Sequence, residues 1–132
     1  MVNYIVVMLG GALGTGARFW ASGIVAERAG EFFPVGTLVV NITGSFMVGF
    51  FAAFTDPEGP FLIPPRFRQF FMIGVCGGYT TFSSFSLQTL NLINDGEFGR
   101  ALGYIALSNA ICLLAVWAGH IVAVNLNAMK WV

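Results

Sequence analysis

The chain has 132 residues, of which 57% are hydrophobic and only 9% charged, with six Lys plus Arg balancing six Asp plus Glu. About a quarter of the residues in a soluble globular domain are charged, so this composition, with a mean hydropathy of +0.81, excludes one. Formal neutrality leaves neither the basic surface that nucleic acid requires nor an acidic tail.

The charges fall at positions 18, 27, 28, 31, 56, 58, 66, 68, 95, 97, 100 and 130. Between their clusters lie charge-free stretches at 32–55, 69–94 and 101–129. Each is longer than the roughly 20 residues that a helix needs to span hydrocarbon. Residues 4–26 form a fourth candidate, interrupted only by Arg18. The fold class expected is an all-α membrane protein: one domain, residues 1–132, with transmembrane helices at 4–26, 33–55, 68–93 and 100–127.

The first span lacks the basic n-region of a secretory signal and holds Arg18 within its apolar run, so an uncleaved helix is expected. Intramembrane ionisable residues are functional candidates by default. Either Arg18 draws anions toward a vestibule, or it snorkels to the interface or pairs with a carbonyl. In the second span, Thr37, Asn41 and Gly44 or Ser45 share one helical face.

The third span reads Gly74-Val-Cys-Gly-Gly-Tyr-Thr-Thr-Phe-Ser-Ser-Phe-Ser86, with glycines and hydroxyls where a lipid-facing helix carries Leu and Ile. Gly77 and Gly78 weaken the helix and the β-branched Thr80 and Thr81 follow, so a break near the bilayer midplane is expected. Such a break is either a glycine kink that serves packing or a source of unwound carbonyls for a small hard cation such as Na⁺. Beyond it, Phe82 and Phe85 share a face. They are core packing, or their electropositive ring edges contact an anion weakly enough to release it.

In the fourth span Tyr104, Ser108 and Cys112 recur every four residues. Hydroxyl and amide donors in these stripes either replace an anion's hydration shell or join helix to helix. Cys76 and Cys112 lie within spans and lack metal-ligand spacing, so neither a disulfide nor a zinc site is expected. His120, alone near a span end, reads as interfacial.

The connections are too short for an extramembrane domain. One face holds Arg66, Arg68 and Lys130, and the other holds Arg28 and Arg100, so the positive charge is almost evenly divided. A chain without that asymmetry can insert both ways round, and four helices hardly enclose a polar path alone. An antiparallel, dual-topology homodimer is therefore expected. Small-xxx-small pairs at Gly10 and Gly14, Gly74 and Gly78, and Gly99 and Gly103 serve either that assembly or packing within one subunit.

Every carboxylate (Glu27, Glu31, Asp56, Glu58, Asp95 and Glu97) sits in a loop or at a span end. A proton-coupled exporter of cationic drugs needs a carboxylate inside the membrane, which weakens that competing class. Nothing resembles the nucleophile, base and acid of an enzyme.

The ordered segments Gly10-Gly-Ala-Leu-Gly-Thr-Gly-Ala-Arg18, Gly36-Thr-Leu-Val-Val-Asn41-Ile-Thr-Gly44 and Gly74-Val-Cys-Gly-Gly-Tyr-Thr-Thr-Phe-Ser-Ser-Phe85 resemble the Fluc (CrcB) fluoride channels of prokaryotic membranes over essentially the whole chain. The resemblance implies a dual-topology homodimer in the inner membrane with two fluoride pores. It implies passive fluoride export that protects the cell, and a central Na⁺ that is structural and not transported. By the family's pattern Gly77 and Thr80 give backbone carbonyls to Na⁺, and Phe82 and Phe85 form an aromatic box. Asn41 donates to fluoride, Tyr104 and Ser108 continue the polar track, and Thr37 lies near it. Cys112 and Gln88 depart from the pattern, where a hydroxyl and an acidic residue occur in other members.

Overall fold

The computed structural model describes residues 1–30 and 33–129. Glu31 and Lys130, which enter the charge reading above, lie outside the described residues. The helices are α1 (Val2–Ala29), α2 (Val35–Phe54), α3 (residues 65–79), α4 (Phe82–Asn94) and α5 (Phe98–Met129). No strand occurs among the described residues. Four segments (Val2–Ala29, Val35–Phe54, Pro65–Asn94 and Phe98–Met129) are long and apolar enough to cross a membrane.

Local chemistry sets the ends. α1 stops at Gly30, whose φ of 78° is a left-handed conformation that costs glycine no Cβ clash. Gly96, also at φ 78°, turns the chain between α4 and α5. α3 begins with Pro65 at its first position, where the missing N–H has no helical partner to lose. Its stretch Gln69–Cys76 is π-helical, a winding that is rare and often found at functional sites.

Packing relies on residues with little or no side chain. α1 lies against α3 through glycine on both sides: a Cβ on Gly10 would fall 2.5 Å from the Phe70 carbonyl oxygen, and one on Gly78 2.5 Å from that of Gly11. Gly74 meets the Gly10 backbone in the same way. α2 and α5 repeat the device, with Gly49 against the Val116 carbonyl and Gly119 against the backbone of Phe46 and Phe50. Without a hydrophobic drive between helices in lipid, close backbone approach supplies the contact energy. By contrast, nothing lies within 4 Å of a Cβ placed on Gly99 or Gly103, so this pair packs no helices within the subunit.

The burial pattern suits a lipid solvent. Tyr104, Val40 and Ala123 are buried, as are the polar Thr37, Thr55, Thr89 and Ser108, while Leu13, Leu113, Leu114 and Trp117 are exposed. At one end of the bundle Arg68 Nη1 donates to Thr55 Oγ1 (2.5 Å), and Asn127 Nδ2 donates to the Ala53 carbonyl (3.1 Å). The Asn127 bond occupies a carbonyl at the C-terminal end of α2 that has no helical donor, and Thr55 Oγ1 in turn donates to the Phe51 carbonyl (2.7 Å).

Gly78→Val should lower thermal stability in detergent by about 1–3 kcal/mol, because the α1 backbone cannot yield to the new side chain. Gly16→Ala, where a Cβ meets nothing within 4 Å, should leave the melting temperature unchanged or raise it. Equal losses in both variants would refute the glycine contact.

Candidate functional site

Two extended residues, Thr80 (ψ 158°) and Thr81 (φ −152°, ψ 109°), separate α3 from α4. In an unbroken helix the Gly77 carbonyl would accept from Thr81 N–H. Here that N–H donates instead to Asn41 Oδ1 (2.7 Å), while Asn41 Nδ2 donates to the Thr81 carbonyl (3.1 Å). One amide on α2 thus pairs with both polar groups of the Thr81 backbone. Ser84 N–H, the i+4 donor for Thr80, goes to Thr81 Oγ1 (3.1 Å), which caps the N-terminus of α4. Cys76 keeps its partner and gains another, because its carbonyl accepts from both Thr80 N–H and Thr80 Oγ1, each at 3.0 Å. The carbonyls of Gly77 and Thr80 are therefore the two whose regular donors have been diverted to side chains.

Arg18 belongs to the same construction. Its Nε donates to the Gly78 carbonyl (3.1 Å), as does Thr15 Oγ1 at 3.4 Å. Phe82, the i+4 donor to Gly78 in a continuous helix, begins α4 beyond the extended residues, and a charge-assisted bond stands in its place. Of the alternatives open from sequence, carbonyl pairing is the contact the structure displays. Arg18 is not among the residues lining the polar cleft that opens beside α1. Gly44 lets α2 approach the break, since a Cβ there would meet Thr80 Cγ2 and lie 3.1 Å from Tyr79 Cδ1.

Two cavities flank a buried aromatic contact. A cleft of about 890 Å³ is bordered by Glu27, Asp95, Glu97 and Arg100 and reaches Thr37 and Gln88. There the Tyr104 hydroxyl donates to Gln88 Oε1 (3.0 Å). The Tyr104 ring lies 5.0 Å from that of Phe85. A second cavity, of about 450 Å³, is lined by Asn41, Ser45, Thr80, Phe82, Phe85, Ser108 and Cys112, with Gly77 beside them. Ser108 is 7% exposed and its buried hydroxyl has no hydrogen-bond partner. The ring centroids of Phe82 and Phe85 are 5.3 Å apart at 45°. Phe85 is buried, whereas Phe82 is 75% exposed on this single chain.

The structure thus gathers Asn41, Gly77, Thr80, Phe82, Phe85 and Ser108 around one cavity, and sets Thr37 at the cleft. Tyr104 lies between the two through its contacts with Gln88 and Phe85. Sequence reasoning named Thr81 only as a poor helix former and missed its roles as the partner of Asn41 and the cap of α4. Its signal was local: Thr81 followed three residues later by Ser84, at the spacing of a side-chain N-cap. No group of three or more His, Cys, Asp or Glu that could hold a metal occurs among the described residues.

Four membrane-length helices and an interior of uncharged donors define a multi-pass α-helical membrane protein. A family model described as "CrcB-like protein, Camphor Resistance (CrcB)" matches residues 5–120, and the chain belongs to that family. It is 57% identical to the "Fluoride-specific ion channel FluC" of Methylocella silvestris over 98% of each chain. It is 59% identical to the protein of the same name from Opitutus terrae, also over 98% of each. With that of Rhodospirillum rubrum the identity is 53%, covering 96% of this chain and 98% of the relative.

Asn41→Ala should leave both backbone groups of Thr81 unpaired in apolar surroundings, costing about 1–3 kcal/mol for each. Ser45→Ala, one turn along α2, should cost far less. Thermal unfolding of the purified protein in detergent checks the ranking, and equal stability of the two variants would contradict the pairing.

Proposed function

We propose that this chain is a fluoride-selective ion channel of a prokaryotic inner membrane, working as an antiparallel dual-topology homodimer. Fluoride leaves the cell passively down its electrochemical gradient, which protects the cell from fluoride toxicity. The name shared by the relatives supports the ion, and the uncharged donor track supports the mode of transport. The observation that carries the reading is the buried Ser108 hydroxyl, unpartnered on a cavity that it shares with Asn41, Phe82 and Phe85. A donor without an acceptor inside a membrane protein suits a small anion. The chain performs no covalent chemistry and is not an enzyme.

In this reading fluoride enters the cleft and loses water stepwise to the N–H groups of the Gln88 amide, whose oxygen is held by the Tyr104 hydroxyl, and to the Thr37 hydroxyl. It then passes Phe85 and Phe82 edge-on and meets the second N–H of Asn41 and the Ser108 hydroxyl. Neutral donors and ring edges hold the anion without the depth of a Lys or Arg site, so it also leaves. A narrow path of hydroxyl and amide donors favours a small, strongly hydrated anion over chloride. Cys112, a weaker donor than a hydroxyl, thins the far end of the track. Arg18 acts as a brace on the Gly78 carbonyl.

A structural Na⁺ fits the residues at the break. Hard cations take oxygen ligands, and the Gly77 and Thr80 carbonyls have had their helical donors diverted by Asn41 and Thr81. A second, antiparallel copy would double the set. The ion would supply fixed positive charge at the dimer centre and take no part in conduction.

Fluoride efflux from liposomes should require a charge-compensating K⁺/valinomycin shunt and should be lost in Phe82→Ile and Asn41→Asp. Efflux that is electrically silent without the shunt would point to fluoride/proton exchange and sink the channel reading. Exchanging Na⁺ for a large organic cation should promote dissociation of the dimer, because a ligand bound only by the assembly stabilises it by mass action. Identical dimer stability in both salts would remove the Na⁺ site.

A further inference from the structure

The loop between α2 and α3, together with the first turns of α3, borders a third groove of about 620 Å³ that shares only Met72 with the cavity at Asn41 and Ser108. Its walls are apolar, with Leu62, Ile63, Met72 and Ile73 among the lining residues, and Arg68 and Gln69 set into them. Pro57, Pro64 and Pro65 also line it and restrict the backbone, so the groove is preformed. Position 69 begins a charge-free stretch that runs to position 94. Arg68 therefore stands at the boundary between water and hydrocarbon.

Two polar features in this apolar setting call for a ligand. The bond to Thr55 Oγ1 uses one donor of the Arg68 guanidinium, and the rest of its planar fork suits the oxygens of a phosphate. Gln69 Oε1 is buried and has no hydrogen-bond partner, which buried acceptors in folded proteins seldom lack. The nearby carboxylate of Asp56 is turned into its own loop, where Oδ1 accepts from Glu58 N–H (2.9 Å). Neither Asp56 nor Glu58 lines the groove, so the charge it offers is that of Arg68.

We infer that this groove binds one phospholipid with an anionic, hydroxyl-bearing headgroup of the phosphatidylglycerol kind. The phosphate lies against Arg68, a headgroup hydroxyl donates to Gln69 Oε1, and an acyl chain follows Leu62, Ile63, Met72 and Ile73 down the outside of α3. A phosphatidylcholine headgroup has no N–H or O–H to donate to Gln69, and its own cation competes with Arg68 for the phosphate. The site needs only a membrane-embedded chain, so it stands apart from the fluoride reading.

Native mass spectrometry of the full-length protein in detergent, with equal amounts of phosphatidylglycerol and phosphatidylcholine of matched acyl chains, tests this. The wild type should retain the glycerol lipid with roughly tenfold preference, the size of one charge-assisted contact. Arg68→Gln should abolish the preference and Arg68→Lys should restore part of it. Ile63→Trp, which narrows the groove and leaves the charge in place, should weaken retention of the lipid without unfolding the chain. Equal retention of the two lipids by the wild type, or a preference that survives both Arg68→Gln and Ile63→Trp, overturns the proposal. So does competition by millimolar inorganic phosphate, which would mark a site for free anions. A change of oligomeric state in Ile63→Trp without any lipid adduct in the wild type would show that a second copy covers the groove, and would equally overturn it.

Discussion

The side-chain amide of Asn41 is the interaction on which the site depends. In the interior of a membrane protein a backbone N–H or C=O without a partner costs several kcal/mol, so a helix can be opened only where something else completes its bonds. Asn41 does this for Thr81 from both ends of its amide. Thr81 then caps α4 with its own hydroxyl, and Arg18 covers the Gly78 carbonyl. The regular donors of the Gly77 and Thr80 carbonyls have gone to Asn41 and to Thr81 Oγ1.

The glycine contacts serve that arrangement. Asn41 reaches Thr81 because Gly44 brings α2 within contact of Tyr79 and Thr80. Arg18 and Thr15 reach Gly78 because α1 and α3 touch backbone to backbone through Gly10, Gly74 and Gly78. Larger residues would move the helices apart and put these side chains out of hydrogen-bonding range. Small residues inside and Leu or Trp outside form the inverse of a soluble core, and the reason is the solvent: lipid rewards close contact between helices and not the burial of large side chains.

Helix number and the placement of charge were legible in the sequence because hydrocarbon thickness and the cost of burying charge act on composition alone. The weakness of the segment at 77–81 was legible for the same kind of local reason, since Gly77, Gly78, Thr80 and Thr81 are poor helix formers in succession. The sequence also showed the stripes of Thr37 with Asn41 and of Tyr104 with Ser108, because helical periodicity places them without reference to anything else. Which of their bonds are spent and which are free depended on neighbours far away in the chain. Tertiary structure alone decided that Asn41 spends a donor on Thr81, that Tyr104 donates to Gln88, that Ser108 is left unpartnered and that Arg18 braces a carbonyl. Those outcomes turn on contacts between residues 16 to 60 positions apart in the chain. Spacing along one helix specifies a face, whereas the partner that a face meets is settled only when glycine-lined helices close to backbone contact.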